Sequence, residues 1–210
     1  MRDVANVAIK KICSKLVNHY NVKLEDKVAL DFFAREGDWQ TQHYADKVKK
    51  IYAWEINPKH EHDLKRNLPE NADITIGNSF ILAKQNNNFF DMVVLDNPQG
   101  CYGENKMYCE HFEALELSLN LLKSSGGLLI FNVKTEPFNY SDKKQWQKRR
   151  NDFYSLEDCS RLSKGFVFDF YENYFNMRGY ITKFAFMEIR PQESGLYAFT
   201  TQIERIVDDN

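Results

Sequence analysis

Four acidic or amide side chains stand where this chain could do chemistry, each following a short apolar run. Val28, Ala29 and Leu30 lead straight into Asp31, and the first glycine of the sequence, Gly37, comes soon after. Ile51 to Trp54 ends on Glu55, ADITIG runs into Asn78 and Ser79, and FFDMVVL ends on Asp96, Asn97 and Pro98. Apolar runs this short read as strands rather than helices. In a doubly wound α/β sheet, ligands sit beyond the carboxyl ends of the strands, where the strand order reverses. Acids at two successive strand ends suit a nucleotide or nucleoside, because the second accepts hydrogen bonds from ribose hydroxyls.

The elements that must hold these tips follow from periodicity. Val4, Val7, Ala8, Ile12, Leu16 and Val17 recur at helical spacing between lysines, which predicts an amphipathic helix within residues 1–22, packed on an edge of the sheet. A short helix is expected over Thr41 to Lys49, with Tyr44, Ala45 and Val48 inward. Asn57-Pro58 opens a charged helix reaching Asn67, since proline suits a first turn. Ile81 to Gln85 reads as a short helix. Phe89 to Leu95 is the most apolar strand and belongs at the sheet centre. Tyr108 to Leu122 is expected as a helix with Phe112, Leu115, Leu119 and Leu122 inward, ended by Ser124-Ser125-Gly126-Gly127. Leu128 to Val133 is the next strand, and residues 134–162 break into a polar, aromatic-dotted insertion. Gly165 to Met177 forms a helix. Tyr180 to Ile189 and Leu196 to Ile206 then form two strands, joined by the hairpin-type stretch Arg190-Pro191-Gln192-Glu193-Ser194-Gly195.

Length and charge narrow the classes. At 210 residues the chain suits one α/β domain, 1–210. With 28 Lys and Arg against 30 Asp and Glu there is no global field to gather nucleic acid or membrane, so any nucleic-acid role rests on a local patch. No apolar run reaches membrane-spanning length, and MRDVANVAIKK has charges where a signal peptide needs an apolar core. The expected location is cytoplasmic. Cys13, Cys101, Cys109 and Cys159 show no CxxC, and His60 and His62, two apart on a helix, point in different directions, so neither set reads as a zinc site.

Taken together, Lys27 to Arg205 resembles the class I S-adenosylmethionine-dependent methyltransferases. VALDFFAREG is similar to that family's first motif, an acid and a glycine-bearing loop beneath the methionine part of the cofactor; Phe33 and Arg35 stand where the family prefers glycines. AWEINP resembles the second, which implies Glu55 on the ribose hydroxyls and Ile56 on the adenine. GNSF resembles the third, with Asn78 and Ser79 at the adenine edge, and DMVVLDNPQG the fourth, the catalytic strand end. LLKSSGGLLIFNV and the terminal hairpin match the remainder. The resemblance implies a Rossmann-like three-layer sandwich: a mostly parallel seven-stranded sheet of order 3-2-1-4-5-7-6 with an antiparallel C-terminal hairpin. It also implies S-adenosylmethionine as cofactor, held by Asp31, Phe33, Arg35, Gly37, Glu55, Ile56, Asn78 and Ser79. The Arg35 guanidinium either pairs with the cofactor carboxylate or points to solvent.

On the acceptor side, Asn97-Pro98 resembles half of the Asn-Pro-Pro-aromatic motif of nitrogen methyltransferases, in which carbonyl oxygens orient the amine. Gln99 and Gly100 replace its second half, and Tyr102 beyond them is a candidate substrate contact. Asp96, Asn97 and Pro98 are the candidate catalytic residues. Asp96 also reads as a base or substrate anchor, or with Asn97 as a turn cap. Cys101 follows glycine rather than proline, which argues against thiol catalysis. The insertion, expected to close the acceptor side as a lid, carries KKQWQKRR, with five cations in eight residues beside Trp146 and near Phe138, Tyr140, Phe153 and Tyr154. Trp146, Lys148, Arg149 and Arg150 are therefore candidate contacts to RNA or DNA, set against a solvated helical face. Two rival readings stand beside the enzyme. One is an inactive methyltransferase-like scaffold that holds a partner through the insertion. The other is a nicotinamide-dependent oxidoreductase, which predicts a GxGxxG the chain lacks.

Overall fold

In the parallel core, strand faces alternate between two helical layers. A computed structural model describes residues 2–137, 140–191 and 193–206, with side chains from residue 8 onward. Phe138, Gln192 and the side chains of Val4 and Val7 lie outside what is described. Five strands run parallel: β1 (Val28–Asp31), β2 (Lys50–Glu55), β3 (Asp73–Ile76), β4 (Met92–Leu95) and, after a two-stranded ribbon, β7 (Gly126–Lys134). The ribbon pairs β5 (Cys101–Tyr102) with β6 (Tyr108–Cys109). The last two strands, β8 (Tyr180–Ile189) and β9 (Leu196–Arg205), form an antiparallel hairpin, and β9 inserts beside β7. The order is β3-β2-β1-β4-β7-β9-β8, which is 3-2-1-4-5-7-6 once the ribbon is set aside.

Met92 and Val94 of β4 face a cluster containing Ile9, Ile12, Leu64 and Ile130; Val93 and Leu95 face another containing Leu115, Phe131, Tyr154 and Tyr171. A strand buried on both faces has no polar side to show, which is why FFDMVVL reads as unbroken apolar sequence. Helices α1 (Arg2–Asn18) and α2 (Glu61–Asn67) cover the first face. Helices α3 (Ser79–Ala83), α4 (Phe112–Leu121), α5 (Lys144–Tyr154) and α6 (Lys164–Asn176) cover the second.

Three expectations change. The helix expected from Tyr108 begins at Phe112, because Tyr108 and Cys109 pair across the ribbon with Tyr102 and Cys101. Thr41 to Lys49 contains only a 3-10 turn at Thr41–His43, although Tyr44, Ala45 and Val48 do face inward. The insertion holds a packed helix, α5, whose inner face is Trp146, Arg150 and Tyr154. No helix among the described residues is long and apolar enough to cross a membrane.

Candidate functional site

The order reverses between β1 and β4, and both strands end in an acid at that point. Asp31 closes β1 and is 1 % exposed. Its carboxylate accepts hydrogen bonds from the Thr41 hydroxyl at 2.6 Å, the Tyr44 hydroxyl at 2.9 Å and the Phe33 N–H at 3.2 Å. Burial pushes its pKa up to about 6, held back by those bonds and raised further by neighbouring Asp96. Asp31 thus fixes the first turn of the following loop and the 41–44 segment under it.

That loop turns back on itself through two left-handed residues, Arg35 at φ +51° and Gly37 at φ +74°. Arginine at such an angle needs outside support, and Glu55 supplies it. The Arg35 N–H donates to Glu55 Oε2 at 2.8 Å, and the Asn57 N–H donates to Oε1 at 2.7 Å. The Arg35 guanidinium turns outward over Trp39, 5.0 Å from the ring, beside the Glu36 carboxylate at 3.5 Å. Gly37 faces α2, where an added Cβ would meet Leu64 and Leu68 at 3.2 Å. Its glycine therefore serves helix packing as well as the turn. Ile56, next to Glu55, is 63 % exposed.

At the third tip, the Asn78 side chain caps α3 by accepting from the Phe80 N–H at 3.0 Å. The Ser79 hydroxyl reaches across to donate to the Phe32 carbonyl at 2.7 Å. These bonds tie the loops after β1 and β3 together, and Phe33 packs near Phe80 and Tyr102, with centroids 6.1 and 6.0 Å away.

At the fourth tip, Asp96 accepts from Asn132 Nδ2 at 2.8 Å and from the Arg190 guanidinium. Burial pushes this carboxyl up, but Arg190, together with hydrogen bonds from Gln40, Arg190 and Asn132, holds it below the usual carboxylate range. Asn97 Oδ1 accepts from the Asn132 backbone N–H at 2.9 Å, and the residue is 3 % exposed. Its side chain is turned into the sheet, while Pro98 is exposed. Asn132, Arg190, Gln40, Thr41 and Tyr44 thus belong to the site without having been singled out. Only Asn132, a polar residue inside LLIFNV, left a local signal in the sequence.

The structure divides the remaining candidates. The Tyr102 hydroxyl donates to the Glu110 carbonyl at 2.9 Å within the ribbon, and its ring, 6.0 Å from that of Phe33, places the ribbon beside the β1 tip. Trp146 is 5 % exposed and its Nε1 donates to Glu110 at 2.7 Å; Arg150 is fully buried against the same oxygen at 2.6 Å. Arg149 pairs with Glu113, and Lys148 with Asp152. The segment read as a basic face is therefore half internal: Trp146 and Arg150 cannot stack on or clamp an outside ligand in this packing. Cys101 Sγ lies 3.4 Å from Cys109 Sγ, and burial pushes the Cys109 thiol up, away from nucleophilic character.

A nucleoside sulfonium fits this donor set. Arg190 pairs with Asp96, whereas the hydrogen bonds to Asp31 come from the neutral donors Thr41, Tyr44 and the Phe33 N–H, which leaves the β1 tip able to offset a cation. Gln40 Oε1, on the side chain that bonds Asp96, is buried with no partner. Each Glu55 oxygen accepts one backbone N–H and keeps a further lone pair for a hydroxyl, with the bare Ile56 beside it.

No family model matches the chain, and no curated protein matches it. Among solved structures, TYW2 from M. jannaschii in complex with AdoMet is similar over 96 % of this chain and 77 % of its own, with TM-score 0.58 and 17 % identity. Trm5b from Pyrococcus abyssi is similar over 94 % of this chain, which spans 49 % of that protein, with TM-score 0.55 and 15 % identity. The Burkholderia thailandensis 1,6-didemethyltoxoflavin-N1-methyltransferase, bound to 1,6-didemethyltoxoflavin and S-adenosylhomocysteine, covers 96 % of this chain and 80 % of its own, with TM-score 0.56 and 12 % identity. This chain also spans 63 % of P. horikoshii TYW2, solved in complex with MeSAdo. At such identities the likeness is one of fold alone: a mostly parallel seven-stranded sheet with an antiparallel ending.

Proposed function

We propose that this chain is an S-adenosylmethionine-dependent methyltransferase. The observation that carries the reading is the placement of Asp31, Glu55 and Asp96 at the ends of β1, β2 and β4, side by side at the point where the strand order reverses. S-adenosylmethionine supplies a methyl group activated by a sulfonium. Glu55 binds ribose hydroxyls while holding the Arg35 and Asn57 amides, and Ile56 offers an apolar face to the adenine. Asn78 and Ser79 set the backbone at the adenine edge, and the 33–37 loop carries the methionine end. Asp31 acts through that loop and is a positioning residue. Fold neighbours whose names specify AdoMet, MeSAdo or S-adenosylhomocysteine support the same cofactor here.

On the acceptor side, Asp96 stays ionised and fixed by Arg190, so it anchors or orients rather than removing a proton. Asn97 locks the loop to β7. The Pro98 carbonyl accepts from Asn97 Nδ2 at 3.4 Å and keeps a second lone pair for an acceptor N–H, which supports a nitrogen acceptor. A second reading, the inactive scaffold, is favoured by the packing of Phe33, Phe80 and Tyr102 at the tips and by the internal partners of Asp96 and Asn97.

Calorimetric titration with S-adenosylmethionine separates the two. The wild type is expected to bind, and Glu55→Ala to bind about 1–3 kcal/mol more weakly, through lost hydrogen bonds to a charged acceptor. No heat at millimolar cofactor would leave the scaffold reading standing.

A further inference from the structure

Three cations around the insertion are spent inside the protein or on its surface pairs, and three others are not. Lys148, Arg149 and Arg150 are held by Asp152, Glu113 and Glu110. Lys106, Lys143 and Lys144 instead line a cavity of about 310 Å³ between the loop after β4 and the start of α5, with Gln99, Gly100 and Trp146 among its other walls. Among the described residues, no carboxylate lies within 4.0 Å of their ammonium groups. Asp142, also on the wall, accepts from the Ser141 hydroxyl at 3.2 Å, and Lys143 Nζ stands 5.2 Å from the Trp146 ring centre.

The floor of this cavity is fixed. Trp146 is anchored to Glu110 and lies against Gly100, where an added Cβ would come 3.8 Å from the indole. The rim breaks a stability rule. Helix α5 starts with no capping side chain and no acid in its first turn, and it places Lys143 and Lys144 at its positive pole, where cations are unfavourable. Departures of this kind gather at functional sites, and an anion seated here would satisfy the lysines and the first-turn N–H groups together.

We infer that this cavity binds a phosphoryl group of the methyl acceptor, and that the acceptor is a small phosphorylated molecule. The anion site stands on the cavity itself; the word acceptor rests on the methyltransferase reading. Gln99 and Gly100 directly follow Asp96, Asn97 and Pro98, so a phosphoryl group held here sets the rest of its molecule beside the β4 tip. A small ligand is favoured over nucleic acid because the neighbouring cations are paired and the chain has 28 cations against 30 anions, leaving no basic track for successive phosphates.

The test titrates the full chain with inorganic phosphate, with glycerol 3-phosphate and with a short single-stranded RNA, followed by calorimetry and amide NMR, and with S-adenosylmethionine separately. Both small phosphates are expected to bind the wild type and to shift the Gly100, Cys101 and Trp146 amides. The exposed triple variant K106Q/K143Q/K144Q should weaken that binding about tenfold or more, while Lys148→Gln, outside the cavity, leaves it unchanged. No binding to the wild type, or equal binding to the triple variant, overturns the site. RNA binding whose salt dependence reports many neutralised phosphates overturns the small-ligand assignment in favour of nucleic acid. Cofactor binding without phosphate binding retires this cavity alone. Phosphate binding without cofactor binding keeps the anion site and retires the methyltransferase reading.

Discussion

Asp31 is a carboxylate sealed from water, and its titration makes the cost measurable. Burial raises its folded pKa to about 6, against about 3.9 for an ordinary aspartate in an unfolded chain. Between those values the native state keeps a proton that the unfolded state has already released. The contribution of this residue to stability is therefore full below about pH 4, falls as pH rises towards 6 and stays low above it, a loss on the order of 3 kcal/mol. Asp31→Asn cannot titrate. Urea unfolding at pH 4 and pH 7 should show the variant gaining on the wild type by that order between the two conditions. An unchanged difference would mean that Asp31 ionises like an exposed carboxylate. Asp96 behaves oppositely, because Arg190 holds it below the usual range, so its contribution is present at neutral pH and fades in acid. Two acids on adjacent strands thus face opposite pH dependences, set by whether a guanidinium is in reach.

At the scale of the element, α5 shows how a helix can be read for its charge and mistaken for surface. Its buried stripe places Arg150 between Trp146 and Tyr154, with Glu110 as partner to both Arg150 and Trp146. Arg150→Met leaves the Glu110 side chain in the core without its guanidinium partner, and should cost about 3–5 kcal/mol. Lys148→Ala, on the outer face, should stay within about 0.5 kcal/mol. Comparing their denaturation midpoints checks both; equal midpoints would place Arg150 in solvent. This helix was hidden in the sequence because a cation occupies the centre of its apolar stripe. The ribbon was hidden for another reason, since two-residue strands leave no alternation to see. By contrast, β1 and β2 were legible because each is an apolar run that stops on an acid, and β8 and β9 because two long runs flank a polar turn. The acids at the tips could be named from the chain. The partners that orient them could not, since Asn132 and Arg190 reach Asp96 from 36 and 94 residues away.

At the scale of the whole molecule, a ligand that bridges the tips of several strands stabilises the native state by mass action. S-adenosylmethionine at about one hundred times its dissociation constant should add about 2.7 kcal/mol, which corresponds to roughly 5–10 °C in the unfolding midpoint for a chain of this size. A thermal melt with and without cofactor reads this directly, and coincident curves at saturating cofactor would separate the fold from the activity proposed for it. The long reach of Arg190 has a further consequence for how the protein is made. Its guanidinium sits on Asp96 from the far end of β8, and β9, which follows, must thread between β7 and β8 to seat that strand. During synthesis on the ribosome, the first half of the sheet can form while Asp96 still lacks its counter-charge. Strands translated after β7 therefore set the fourth tip, and a nascent chain stalled before β8 would carry an unfinished centre.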